Sequence, residues 1–317
     1  MSVCIIFNPT ARGNKARRFQ AELAKVRADW ALKPTHCAGA ARQMARDAVE
    51  SGFETIIAAG GDGTINEVLN GIGDARDGFK RARLGVLPLG TINVFSRELR
   101  IPMKIAEAWP ILERGHDLTV DIGCAEFQNG AGPETRYFLQ MAGAGLDGRA
   151  VELVDWELKK KFGPGAYVVA ALKALGSEQP RITIRNGKIG EAAQWVLIGN
   201  GRFYGGSYPV FHKGDLQDGV LDAVLFEKMD WARLPGHLWS FVSGRMFRGG
   251  ASTYLQGQEF ILESDRRAAL QLDGEAAGEL PARITVLPKA LRVIAPRLPP
   301  KRAAESSDSK VIRERAA

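Results

Sequence analysis

Apolar residues fall into two rhythms along this chain. In the first third they come as short unbroken runs, VCIIF at 3–7, ETIIAAG at 54–60 and RLGVLPLGT at 83–91, each closed by Asn-Pro or glycine. Such runs bounded by turn signals predict strands buried on both faces. Between them the apolar positions recur every three or four residues: Phe19, Leu23, Val26 and Trp30 over 15–29, a second series over 41–51, and Ile65, Val68, Leu69 and Ile72 after a glycine loop. A short helix is predicted over 93–99. Strands alternating with helices imply an α/β domain with a parallel sheet covered on both faces.

After about Asp121 the rhythm changes. RYFLQMAG, RITIRNG, AQWVLIGNG, GVLDAVLFE, AALQLDGE and ARITVLP are short, β-rich and punctuated by Gly, Asn and Asp. They predict an antiparallel sandwich or barrel, interrupted by helices over 150–175 and 231–247. The expected organisation is an α/β N-terminal domain over 1–120, a β-rich antiparallel sandwich C-terminal domain over 121–298, and a proline-led charged tail over 299–317 that is expected to be disordered.

Composition narrows the classes. At 317 residues, 45% hydrophobic and 25% charged, the chain can bury a proper core. A net charge of +7 fits either simple solubility or attraction to an anionic partner. No basic run is interleaved with aromatics, so nucleic acid is not an expected partner. Cys4, Cys37 and Cys124 are odd in number and far apart, and His36, His116, His212 and His237 form no paired spacing. Neither a disulfide framework nor a zinc site is indicated, and a reducing compartment fits best. No window approaches the ~20 apolar residues of a membrane span. The expectation is a cytoplasmic chain, at most peripheral at the inner membrane face.

The glycine loop AAGGDGTINEVLNG (58–71) carries the first candidate chemistry. Thr64 and Glu67 spell a T-x-x-E capping box, which predicts a helix from Ile65 with Thr64 as its N-cap. Strand, GGDG and helix N-terminus in that order would present backbone N–H groups to an anion, with glycine allowing close approach and positive φ. A plain tight turn is the competing reading. Neither GxxxxGK[ST] nor GxGxxG is present. Asp62 would repel a bare phosphate, so its place in the loop suggests phosphoryl transfer, with a divalent cation or a donated proton between the two charges.

GGDGTINEVLNG, with the opening strand and Asn8-Pro9-Thr10, resembles the diacylglycerol kinase catalytic domain of bacterial lipid kinases, a family that includes sphingosine and ceramide kinases. The likeness continues through PLGTINVFSREL (88–99), MAGAGLDGRAV (141–151), GNGRFYGG (199–206), KGDLQDGVLD (213–222) and LQLDGE (270–275), in the family's order and over nearly the whole chain before the tail. GGDGT alone is shared with NAD kinases.

The resemblance implies an ATP-dependent lipid kinase that binds its nucleotide between the two domains. Gly60, Gly61, Asp62, Gly63, Thr64, Ile65 and Asn66 match the phosphate loop, while Thr91, Thr35, Asn8 and Thr10 match other nucleotide contacts. In the DxxDG segment Asp218 would supply a carboxylate, and Asp215 and Val220 carbonyls, to a structural Mg²⁺; a bare hairpin turn is the competing reading. Glu275 matches the general base, Asp273 a member of the local acid network, and Asp147 a position near the lipid head group. By itself DGE reads as a hairpin corner more readily than as a functional site.

Two departures stand out: Ile92 and Val94 occupy positions where relatives commonly carry glycine and aspartate, so the acceptor pocket can differ. Diacylglycerol is the expected acceptor, with a sphingoid base, ceramide or phosphatidylglycerol as alternatives. The other readings are a soluble-substrate kinase of the NAD kinase type and a non-catalytic regulatory protein that binds nucleotide or lipid. Expected partners are a lipid at a membrane surface and a second copy of the chain in a homodimer. Trp156, Lys159 to Lys161, Phe162 and the apolar run 167–175 read either as a surface-associating element or as a helix packed on the core.

Overall fold

A computed structural model describes residues 2–9, 30–154, 165–187, 189–232 and 252–297. The expected helix over 15–29, Thr10, the cluster from Trp156 to Phe162, most of the second helical stretch (233–247) and the tail (299–317) lie outside the described residues.

Four parallel strands, β1 (Val3–Phe7), β2 (Trp30–Pro34), β3 (Thr55–Gly60) and β4 (Arg83–Pro88), lie in the order β4-β3-β1-β2. Every residue of β1 and β3 is buried, which is why their sequences run apolar without alternation. Helices α1 (Ala40–Glu50) and α2 (Asp62–Asp74) cross tightly at Gly71, where a Cβ would stand 2.1 Å from the Arg42 carbonyl oxygen. Short helices α3 (Gly78–Arg81) and α4 (Val94–Glu98) and the longer α5 (Ile105–Arg114) complete this lobe.

Three local expectations need correction. Trp30 opens the edge strand β2 rather than closing a helix face, and β2 is only partly buried, so it lacks the apolar run that marked its neighbours. Helix α5 was not anticipated; Pro110 sits inside it and reads in sequence as a breaker. Helix α2 begins at Asp62, not Ile65: its N-cap is Gly61, and Thr64 lies within the first turn. Glu67 does not reach back to Thr64. Its carboxylate accepts from the Gly39 and Ala41 N–H groups at 2.9 and 3.0 Å, capping α1 instead.

The second lobe is antiparallel. Its strands are β5 (His116–Asn129), β6 (Gly132–Phe138), β7 (Met141–Gly145), β8 (Ile182–Asn186), β9 (Ile189–Ala193), β10 (Trp195–Gly199), β11 (Leu221–Phe226), β12 (Thr253–Gly257), β13 (Glu259–Ser264), β14 (Ala269–Leu272) and β15 (Glu275–Ala295). Phe138, Ile184, Ile198, Phe260, Leu262 and Ile284 fill the space between its layers. Helices α6 (Leu146–Glu152) and α7 (Gly165–Leu175) border a further core, in which Trp195 stacks on Phe226 at 4.4 Å.

Two strands join the lobes. β15 pairs antiparallel with β14, β13 and β5, then pairs parallel with β4 at Arg292 and Val293, extending the first sheet. The boundary expected near Val120 falls inside β5.

Candidate active site

The carboxyl ends of the four parallel strands form one edge, the place where open α/β sheets receive ligands. Asn8 follows β1 and donates its N–H to Ala59 O at 3.1 Å; Thr35 follows β2 and donates to Phe7 O at 2.9 Å. After β4, Leu89 and Gly90 both donate to Gly60 O, at 2.9 and 3.2 Å. Asn8, Thr35, the GGDGT loop and the turn carrying Thr91 therefore share this edge. The N–H groups of Asp62, Gly63 and Thr64 belong to the first turn of α2, which has no intrahelical acceptors.

The loop glycines serve close approach, not positive φ, since none of Gly60, Gly61 and Gly63 lies in the left-handed region. A Cβ on Gly60 would stand 2.4 Å from Thr64 Oγ1. One on Gly90 would stand 2.5 Å from Gly61 Cα, so the loops after β3 and β4 touch backbone to backbone. One on Gly63 would stand 2.9 Å from Glu275 Oε1. The carboxylate of Glu275, from the far lobe, thus lies directly over the GGDGT loop.

Asp62 holds the second loop. Its Oδ1 accepts the Val94 N–H at 2.8 Å, and the N–H groups of Asn93 and Phe95 beside it also favour the ionised carboxylate. Burial, followed by the nearby charge of Asp273, pushes its pKa up to about 6 against the pull of those three donors. Asn93 takes a left-handed φ of 53° at the start of α4, so the second loop does contain a positive φ, one residue beyond Ile92.

Asp273 and Gly274, at φ 48° and 83°, form the two-residue turn between β14 and β15, with Leu272 opposite Glu275. The Asp273 carboxylate accepts three successive backbone N–H groups, Leu139 at 2.8, Gln140 at 2.9 and Met141 at 3.0 Å, and Asn66 Nδ2 at 3.0 Å. Burial raises its pKa, and these donors oppose the rise. Asn66 also donates to Tyr137 O at 3.2 Å, so its side chain ties α2 to the second lobe.

Asp147 is buried, with Tyr204 Oη donating to Oδ1 at 2.5 Å and Gln271 Nε2 to Oδ2 at 2.6 Å. Burial raises its pKa against both bonds. The DxxDG segment lies farther along: Asp218 Oδ1 accepts the Val220 N–H at 3.1 Å, and its pKa is raised by burial and then by Asp222, Asp215 and Asp121. Among the described residues no three His, Cys, Asp or Glu side chains converge as a metal cluster.

Sequence reasoning missed several residues that build this region. Asp121, wholly buried, accepts from Gly219 N at 2.7 Å and Lys289 N at 2.6 Å and so fastens the DxxDG loop; an aspartate inside the run LTVDIG was its signal. Gln271, a carboxamide among apolar neighbours in β14, was the other readable exception. Tyr204 and the α1-capping role of Glu67 carried no sequence signal of their own.

The profile of the diacylglycerol kinase catalytic domain matches residues 2–125, and that of the YegS C-terminal NAD kinase beta sandwich-like domain matches residues 140–295. A diacylglycerol kinase of Staphylococcus aureus is 31% identical over 92% of this chain and 91% of its own length. The chain belongs to the diacylglycerol kinase family. A Staphylococcus carnosus diacylglycerol kinase is 29% identical over 92% of this chain and 94% of its own. The crystal structure of a Bacillus anthracis diacylglycerol kinase superposes with a TM-score of 0.73 at 25% identity, covering 93% of this chain and 96% of that one. The expected architecture of a parallel-sheet lobe plus an antiparallel sandwich is that of this family, and the protein is an ATP-dependent lipid kinase.

Proposed function

We propose that this kinase transfers the γ-phosphoryl group of ATP to the free hydroxyl of diacylglycerol, giving phosphatidic acid, with Glu275 as general base. The observation that carries this reading is the Glu275 carboxylate seated against Gly63 of the phosphate loop, where the two lobes meet. Phosphoryl transfer needs positioning and charge stabilisation more than covalent help from the protein. Glu275 takes the hydroxyl proton as the acceptor oxygen bonds to phosphorus. The bond from phosphorus to the β–γ bridging oxygen breaks, and ADP leaves.

The nucleotide's phosphates lie on the first-turn N–H groups of α2, bordered by Gly60 to Asn66, with Asn8, Thr10, Thr35 and Thr91 along the same strand edge. Asp62 works by fixing the second loop, and Asp273 by fixing the turn that carries the base. A Mg²⁺ is assigned to the DxxDG segment on the chemistry of its donors, hard oxygens; burial and the like charges of Asp222, Asp215 and Asp121 raise the pKa of Asp218, and a cation there would relieve that repulsion. Asp218 and the carbonyls of Asp215 and Val220 would hold it, and its contribution there would be charge neutralisation. Among the described residues no helix is long and apolar enough to cross a membrane. In this reading the lipid is met from the bilayer surface, by peripheral contact at the inner face of the membrane.

The test is transfer of labelled γ-phosphate to diacylglycerol, sphingosine, ceramide and phosphatidylglycerol in mixed micelles, with NAD as soluble control. Labelled phosphatidic acid is expected, falling at least ~100-fold in Glu275→Gln, as general-base removal commonly does. Product from another lipid alone reassigns the acceptor, and product from NAD alone overturns the lipid reading. Near-normal turnover in Glu275→Gln removes the base from its role.

A further inference from the structure

Gln271 is 1% exposed in β14, between Leu270 and Leu272. A buried carboxamide is costly unless both its ends are bonded. Both are: Nε2 donates to Asp147 Oδ2 at 2.6 Å, and Oε1 accepts the Gly274 N–H at 2.7 Å. The backbone N–H can only donate, so the orientation of the amide is forced. A continuous chain of hydrogen bonds results, from Tyr204 through Asp147 and Gln271 to the turn residue that immediately precedes Glu275.

The surrounding backbone is shaped to admit this chain. Gly143 of β7 lies opposite Gln271, and a Cβ there would stand 1.9 Å from Asp147 Oδ2 and 2.7 Å from Gln271 Nε2. Gly148 lets α6 settle on β14, where a Cβ would stand 2.1 Å from Ala269 O. The pairing of β14 with β15 shifts register between Leu270 and Gln271, a bulge of the kind that re-aims a side chain beside a functional site.

We propose that Gln271 is a positioning residue of the phosphoryl transfer, holding the Asp273–Gly274 turn, and through it Glu275, in register with Asp147 and the loop that carries Tyr204. The proposal rests on Glu275 being the base. Asp147 then serves the reaction through Gln271. The titratable groups around the relay are Asp147 from α6, Tyr204 from the loop before β11, and Asp273 and Glu275 at the turn.

Gln271→Met keeps the volume and removes both bonds. It is expected to lower kcat about tenfold or more, to leave the KM for ATP within about twofold, and to speed amide hydrogen exchange at Gly274. Gln271→Glu gives a sharper readout, because a glutamic acid that keeps its proton can donate to Asp147 and accept from Gly274, whereas two facing carboxylates cannot. Its activity relative to the wild type at the same pH is expected to rise several-fold from pH 8 to pH 6. A flat ratio, or unchanged Gly274 exchange in Gln271→Met, overturns the relay. Near-normal Glu275→Gln turnover alongside faster Gly274 exchange in Gln271→Met overturns the base and leaves the positioning of the turn intact.

Discussion

Two carboxylates that repel each other, Asp62 and Asp273, sit on opposite sides of the junction between the lobes, and each is held by backbone N–H groups of a different segment. Asp62 releases its proton near pH 6 in the folded protein against an ordinary 3.8. A carboxyl raised in this way contributes stability that is complete below about pH 4 and is lost as pH rises through 6. By pH 7 its burial costs at most about 3 kcal/mol. Asp62→Asn has no such proton to lose, so urea unfolding of both proteins from pH 4 to 7 is expected to show the variant gaining on the wild type by up to that amount. A pH-independent difference would mean that the three donors on Asp62 offset its burial completely. At this scale the sequence was legible in part. Asp62, Asp273 and Glu275 stood out as acids beside glycines, but the donors on Asp273 lie 132 to 207 residues away, which no local pattern encodes.

Among the elements, α2 organises the edge at the strand ends from its first two turns. Its first turn faces the strand ends, while Glu67, one turn further on, holds Gly39 and Ala41 at the start of α1 and so fixes the loop descending from Thr35. Glu67→Gln keeps one acceptor and sets an NH₂ group against a backbone donor, whereas Glu67→Ala removes both acceptors. Steady-state kinetics should show the KM for ATP rising about three- to tenfold in Glu67→Ala and less in Glu67→Gln, with kcat moving little. A loss confined to kcat would place Glu67 outside nucleotide binding. The T-x-x-E spacing misled because it fits a capping box equally well when the glutamate caps a neighbouring helix; only the crossing of α1 and α2 at Gly71 decides between them. Long buried strands were readable for the opposite reason, since burial on both faces writes itself as an unbroken apolar run. The half-exposed β2 and the proline-bearing α5 left no such trace.

The whole molecule is held together by β15, which starts at the proposed base and ends beside β4 in the parallel sheet. Because β15 lies in both lobes, and Asn66 and Asn70 bond α2 to Tyr137 of the second, the lobes are expected to unfold together. Hydrogen exchange of β3 and β10 amides under increasing urea should lose protection with the same dependence. Separate dependences would show two independent folding units. The two textures of the sequence announced two architectures, but nothing in composition announced that the last strand returns to the first sheet.

That return has a consequence for how such a kinase can change over generations. A single recombination crossover anywhere between residues 139 and 274 replaces Glu275 and the strand beside β4 together, so an incoming residue at the proposed base always arrives with its own edge of the parallel sheet. Exchanging the second lobe alone takes two crossovers, the later one inside a continuous strand. The loop after β4 is therefore freer to diversify by point substitution, at positions such as Ile92 and Val94, than the lobes are by shuffling.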